Sequence, residues 1–366
     1  MAALNLIADL FCLKAYFDII DTEKESKRGK IMKNYTRAFF IGIIFMFAFS
    51  NLVPGEKKFQ TLNLKEELTI GASETDSNQM FYYLTGSFTD PDNNFYLLDK
   101  GNSRIQVFDR DGKFIRTIGK NGQGPGEFES IAAGAIFDRK LILAADDSLL
   151  RVNAYDLKGD FSSSFKIKGK VSDLICSPAN KIYLAYPDAE GRIIHQYDIE
   201  GNLINSFGSL KEKDLLVFND VVKMSQDETG NFYVAIRYAN RIQKYDPKGK
   251  LLKEIEADLP FTFEHTPAKD KGYEARAVFL DLACDGKDVY AITAPQLPAQ
   301  ATPEEAQQAL KAGNYLIIFD QDLKQKETYK LPYLVLALSF DNFKRLLLCD
   351  MDFIFHVCQP LPQRLF

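Results

Sequence analysis

Only three histidines occur in this chain, and they limit the chemistry it can assemble. A catalytic zinc site takes three protein ligands converging on one point. His195 holds the place in its segment that Gln106 and Gln243 hold in theirs, and reads as an ordinary strand residue. His356 falls in the last apolar stretch, which leaves His265, in the long connector Pro260–Arg276, as the histidine best placed to meet a ligand. Arg104, Arg151 and Arg241 recur just ahead of similar apolar segments, with Arg192 one place out of step. Guanidinium groups around a rim would hold an anionic ligand or a partner's carboxylates. The same spacing also suits a structural role, bonding loop carbonyls or Asp99. Arg104, Arg151, Arg241 and His265 are therefore the candidate ligand-binding residues, with no catalytic residue and no protein-bound metal assigned.

Other motifs fall short. Gly119, Gly122, Gly124 and Gly126 are followed by no Gly-Lys-Ser/Thr and link two strands instead of opening a helix, so they make no phosphate loop. Asp90-Pro91-Asp92-Asn93 begins like a calcium loop, but no Gly follows at its sixth place and Gly101 stands where Glu should close it. No Gly-x-Ser-x-Gly elbow is present. Cys12, Cys176, Cys284, Cys349 and Cys358 show no C-x-x-C spacing, and read as small buried hydrophobes.

The elements that position these residues repeat. Six short apolar runs follow turn-prone stretches: Phe95–Leu98, Leu141–Ala144, Ile182–Ala185, Phe232–Ala235, Val289–Ile292 and Leu346–Cys349. Such runs suit strands covered on both faces. A second pattern, ending aromatic-Asp, follows each of the first five: Phe108-Asp109, Tyr155-Asp156, Tyr197-Asp198, Tyr245-Asp246 and Phe319-Asp320. In the first four, a Gly three residues later (Gly112, Gly159, Gly201, Gly249) closes a tight hairpin into an outer strand. The Asp residues are 47, 42, 48 and 74 apart, the last gap holding insertions. That period, with four strands per repeat, predicts an all-β, six-bladed β-propeller with four-stranded blades. The sixth copy stops after its third strand, so an N-terminal strand must join the last blade to close the ring; Phe59–Leu64 is the segment expected to do so.

Asp92–Asp99, Asn102–Asp109 and Gly112-Lys113-Phe114, with the Gly119–Phe128 linker, closely resemble the NHL repeat as found in exported bacterial six-bladed propellers. The resemblance covers roughly residues 57–360 and weakens in the fifth and sixth copies. It implies the propeller but no single function, because such propellers serve as enzymes, sensors and interaction platforms. It also brings in lyases with several zinc-binding histidines, and lactonase-like enzymes holding a divalent metal at the channel mouth through Glu, Asn and Asp. The first conflicts with the histidine placement; the second leaves a channel-mouth metal as the alternative.

Topology puts the second-to-third-strand loops and the inter-blade connectors on one face. The irregular segments Gly119–Phe128, Pro260–Arg276 and the insertion 295–314 all belong there. The insertion predicts a short helix capped by Thr302, with Pro303 first, Glu305 completing a capping box and Gly313 ending it.

Before the repeats, residues 32–53 read as a signal peptide or membrane anchor: Lys33 and Arg37, an apolar stretch, then Ala48-Phe49-Ser50. Residues 1–31 read as an extension upstream of a start at Met32. A net charge of −5 with pI ≈ 5.5 argues against nucleic acid. The expected protein is an exported monomer, periplasmic or at the cell surface, touching the membrane only through its N-terminal segment. It would bind a protein, peptide or glycan of the envelope through its loop-rich face. The alternative is a metal-dependent propeller enzyme of lactonase or lyase type.

Overall fold

The computed structural model describes residues 59–73, 75–177, 179–211, 215, 221–263, 277–295 and 302–361. The expectations for residues 1–31 and 32–53, for His265, and for 296–301 of the insertion lie outside them. The chain divides into two compact units; the one formed by 53–265, 277–296 and 309–366 holds every strand found among the described residues. Among the described residues no helix is long and apolar enough to cross a membrane.

The strands form six four-stranded antiparallel sheets, the blades of a six-bladed β-propeller. The apolar runs become the second strands, and their burial explains their composition: Phe95–Asp99 and Phe232–Ile236 are buried at every position, covered by a blade on each side. The first strands are Leu84–Thr89, Ile131–Phe137, Asp173–Ser177, Val222–Gln226, Phe279–Cys284 and Val335–Phe340. Each packs against the first strands of both neighbouring blades, so these six surround the central channel.

Hairpins after the third strands follow the Asp-x-x-Gly chemistry. Asp109 Oδ1 accepts the N–H groups of Asp111 and Lys113 at 3.0 and 2.8 Å, and Gly112 takes φ 83°. In blade five Asp320 makes the same turn with Leu323 in the left-handed position. The cores lie between blades; Val152, Phe165, Leu174 and Tyr197, for example, join blades two and three.

Ring closure needs one correction. An N-terminal strand does join blade six, but it is Glu66–Ile70, antiparallel to Phe355–Cys358, and not Phe59–Leu64. The earlier segment is held elsewhere: Leu62 N–H donates to the Lys330 carbonyl at 2.8 Å, and its side chain is buried in the core of blades five and six. Leu68 and Ile70 then alternate inward on the closing strand, as a half-buried edge requires. The seam carries a polar cluster: His356 lies 3.1 Å from Asp350 and 3.2 Å from Glu66, which also accepts the Tyr333 hydroxyl at 3.0 Å. Between blades one and six, Asn93 donates to Asp341 at 3.0 Å, and the Ser87 and Ser339 hydroxyls meet at 2.8 Å.

The predicted helix spans Pro303–Lys311. Its capping box forms: Thr302 N–H donates to Glu305 at 2.7 Å, and Glu305 N–H to the Thr302 hydroxyl at 3.2 Å. Gly313, at φ 75°, follows it, and buried Asn314 ties the end of the insertion to the Thr293 and Val335 carbonyls, each at 2.8 Å.

Candidate functional site

Alternate residues of the first strands point into the channel, which encloses about 450 Å³. Blades one and two contribute mostly small side chains, Gly86, Ser87, Ala133 and Gly134 among them. Blades three, four and five contribute charge: Asp173, Lys223 and Asp281. In the strand register they pair with Ala185, Ala235 and Ile292, at or beside the last residue of each second strand. All three therefore sit at the end of the channel that opens on the loop-rich face. A register shift between Phe279 and Asp281 marks a bulge at the last of them, a device that re-aims a side chain.

These side chains link four successive blades. Asp173 accepts the N–H of Leu174 at 2.9 Å and, across to blade four, that of Met224 at 3.0 Å. Lys223 reaches back to the Ser172 carbonyl at 3.3 Å and forward to Asp281 at 3.9 Å. Asp281 accepts the N–H of Leu282 at 3.0 Å and, across to blade six, that of Leu338 at 2.9 Å. Burial pushes the Asp173 carboxyl up to about 6; the Lys223 ammonium opposes the rise and the Asp281 carboxylate adds to it. Burial raises Asp281 as well, against Lys223.

The candidate arginines are not gathered on one point; each is tied to its own blade. Arg104 donates to Asp99 at 3.0 Å and to the Met80 carbonyl at 2.9 Å. Arg151 donates to the carbonyls of Gln123, Gly124 and Glu127 at 3.0, 2.6 and 2.7 Å, drawing the Gly119–Phe128 connector onto blade two. Arg241 stands 3.7 Å from Glu254. His265 lies outside the described residues.

Two residues beyond the arginine place, the third strand carries a buried polar residue in blades one, two and four: Gln106, Asn153 and Gln243, with His195 in the corresponding place of blade three. Each clasps a loop carbonyl on the connector face. Gln106 donates to Asn78 at 3.0 Å, Asn153 to Glu127 at 3.1 Å, His195 Nε2 to Tyr186 at 3.0 Å and Gln243 to Ser209 at 3.1 Å. His195 also stacks on Tyr186 with ring centroids 3.8 Å apart, and burial lowers its pKa, so it is held neutral inside the blade. Among the described residues no group of three or more His, Cys, Asp or Glu converges as metal ligands would. Many carboxylates instead receive backbone N–H groups of turns, as Asp90, Asp227 and Asp341 do on the opposite face.

Sequence reasoning missed Asp173, Lys223 and Asp281 because the first strand carries none of the repeat's signature residues. One local signal was present in two of the three: a single charge between apolar neighbours, Val222-Lys223-Met224 and Leu280-Asp281-Leu282, ahead of the fourth and fifth apolar runs.

Six blades, a ring closed across blades one and six, and a charged channel mouth define a six-bladed β-propeller. A family model described as a 6-bladed beta-propeller matches residues 77–271, over half of the chain, and the chain belongs to that family. No curated protein sequence matches the chain. Among solved structures it is similar to catalytically inactive virginiamycin B lyase from Staphylococcus aureus with quinupristin, at TM-score 0.50 and 9% identity over 76% of this chain and 80% of that one. It is also similar to Kuenenia stuttgartiensis hydrazine synthase, at TM-score 0.50 and 13% identity over 75% of this chain and 76% of that one. At these identities the likeness is one of fold alone.

Proposed function

We propose that the protein is an exported NHL-type propeller that works as a binding module, engaging a protein, peptide or glycan of the cell envelope through its loop-rich face. One observation carries the reading: the channel opens on that face at Asp173, Lys223 and Asp281, charged side chains with only part of their bonding capacity filled. On the same face Arg104 and Arg151 donate to the loop carbonyls of Met80 and Gly124, and Arg241 stands beside Glu254. Residues 32–53 supply the export signal or anchor, and the propeller beyond them meets its partner in the periplasm or at the cell surface.

The alternative, a metal-dependent lactonase or lyase, would place a divalent ion at the channel mouth. The donors there are two carboxylates with an ammonium between them, a poor cage for a second positive charge. In-cell crosslinking of the tagged protein, with mass spectrometry of the captured material and of its N-terminus, tests the reading. One recurrent envelope protein, lost when Pro295–Asn314 is deleted, supports it. A stoichiometric divalent ion on the purified chain, with no partner captured, overturns it in favour of the enzyme.

A further inference from the structure

Beyond the binding-module reading, we propose that Ser206 and His195, on the fourth and third strands of blade three, form a nucleophile–base pair that takes up the acyl group of a carboxylic ester. The substrate class is an ester with an apolar acyl chain.

In blades one to four a polar residue of the third strand faces a polar residue of the fourth: Gln106 faces Thr117, Asn153 faces Ser164, His195 faces Ser206 and Gln243 faces Glu254. The Thr117 hydroxyl donates to Gln106 Oε1, and Gln243 donates to Glu254 at 2.8 Å. Tying the two strands together thus needs no more than an amide at this place. An amide oxygen accepts a hydrogen bond without taking the proton, whereas an imidazole nitrogen takes it near neutral pH. Among these four blades only blade three carries the imidazole.

The bonding fixes which nitrogen is the base. The Tyr186 carbonyl can only accept, so His195 Nε2, 3.0 Å from it, carries the hydrogen. Nδ1 is then the bare nitrogen of the neutral ring, and Ser206 Oγ, 2.8 Å away, donates to it. The ring is 1% exposed, stacks on Tyr186, and has its pKa lowered by burial, which keeps Nδ1 free to accept. Nucleophile, base and a group orienting the base follow one another in the order that activates a serine. Once the proton moves, the Asp188 carboxylate favours the imidazolium and Arg192 opposes it.

Ser206 itself is half-buried on the outer strand Leu203–Phe207, beside exposed Leu203, Ile204 and Asn205. Its N–H donates to Asn205 Oδ1 at 2.9 Å; turned instead to the ester's carbonyl oxygen, it serves the developing oxyanion. Ile204, 57% exposed, offers the acyl chain an apolar rest. Ser206 Oγ bonds the carbonyl carbon as its proton passes to His195 Nδ1, and the alcohol leaves with that proton. Water then gives a proton to Nδ1 and attacks the acyl group, and the acid leaves as Ser206 Oγ regains a proton.

The test uses the full chain, with an alkyl fluorophosphonate, which loses fluoride on bonding an activated serine, and p-nitrophenyl butyrate as ester. Peptide mass spectrometry is expected to place the phosphonate on Ser206. His195→Gln installs the residue that blades one and four carry at this place, keeping a strand-to-strand bond but no base. It should slow labelling and hydrolysis about 100-fold or more. Ser206→Ala should abolish both, Ser164→Ala in blade two should change neither, and thermal melts show that each variant is folded. Labelling should persist to a pH below about 6.5, the ordinary histidine value, and fail where His195 protonates. Phosphonate on residues other than Ser206, labelling of folded His195→Gln at the wild-type rate, or no labelling and no hydrolysis above the buffer rate overturns the proposal. Capture of the envelope partner by Ser206→Ala leaves the binding-module reading standing whichever way this test falls.

Discussion

Replacing Asp173 by Asn should stabilise the propeller at neutral pH and not at acid pH. Burial holds the Asp173 carboxyl at about 6 in the folded chain, against about 3.9 when unfolded. The folded state therefore binds the proton more tightly. The stability this confers is fully present below about pH 4 and is lost as pH rises through about 6. At pH 7.5 the ionised carboxylate costs up to about 3 kcal/mol relative to its protonated form. Asn keeps one oxygen to accept the Met224 N–H but gives up the second acceptor, now serving Leu174, at about 1 kcal/mol. The expected net gain is about 1–2 kcal/mol at pH 7.5, a rise in Tm of roughly 1–3 °C for a chain of this size. Thermal unfolding of both chains by circular dichroism from pH 4 to 8 reads this directly. A difference in Tm that stays flat across that range, or a lower Tm for Asp173→Asn at pH 7.5, would refute the claim that burial governs this carboxyl.

Two further outcomes follow from the blade geometry. Gly249 sits at φ 86°, and a Cβ there would meet the Phe207 ring at 2.4 Å, so Gly249→Ala should cost about 2 kcal/mol or more. Gly86 faces the channel with only Leu98, 3.9 Å away, near its would-be Cβ, so Gly86→Ala should stay within about 0.5 kcal/mol; a Gly249→Ala melt as high as that of Gly86→Ala would contradict the contrast. Removing Glu66–Ile70 leaves Phe355–Cys358 as a bare strand edge in blade six. The truncated chain should melt well below the intact one and scatter light on heating, and a melt matching the intact protein would show that the ring does not depend on this seam.

Much of the fold was legible because its determinants are local. A hairpin closed by Asp accepting N–H groups two and four residues on, with Gly at positive φ, is contained within five residues, and Asp109, Asp156 and Asp246 each carry it visibly. The second strands read as apolar runs because a blade on either side leaves no polar face. The helix at Pro303–Lys311 was legible for the same reason, its Thr302–Glu305 box lying within a single turn.

The closing strand was not. Phe59–Leu64 and Glu66–Ile70 both alternate, and nothing within either segment says which edge it meets. Burial of Leu62 among the side chains of blades five and six settles the first, and the open edge of Phe355–Cys358 takes the second. The channel mouth lay further still from local reading. Asp173, Lys223 and Asp281 stand in three blades, far apart in the sequence. Types, turns and repeat number follow from contacts a few residues apart, which the chain alone determines. Which charges share a channel follows from closing the ring, because only then do first strands of different blades lie side by side.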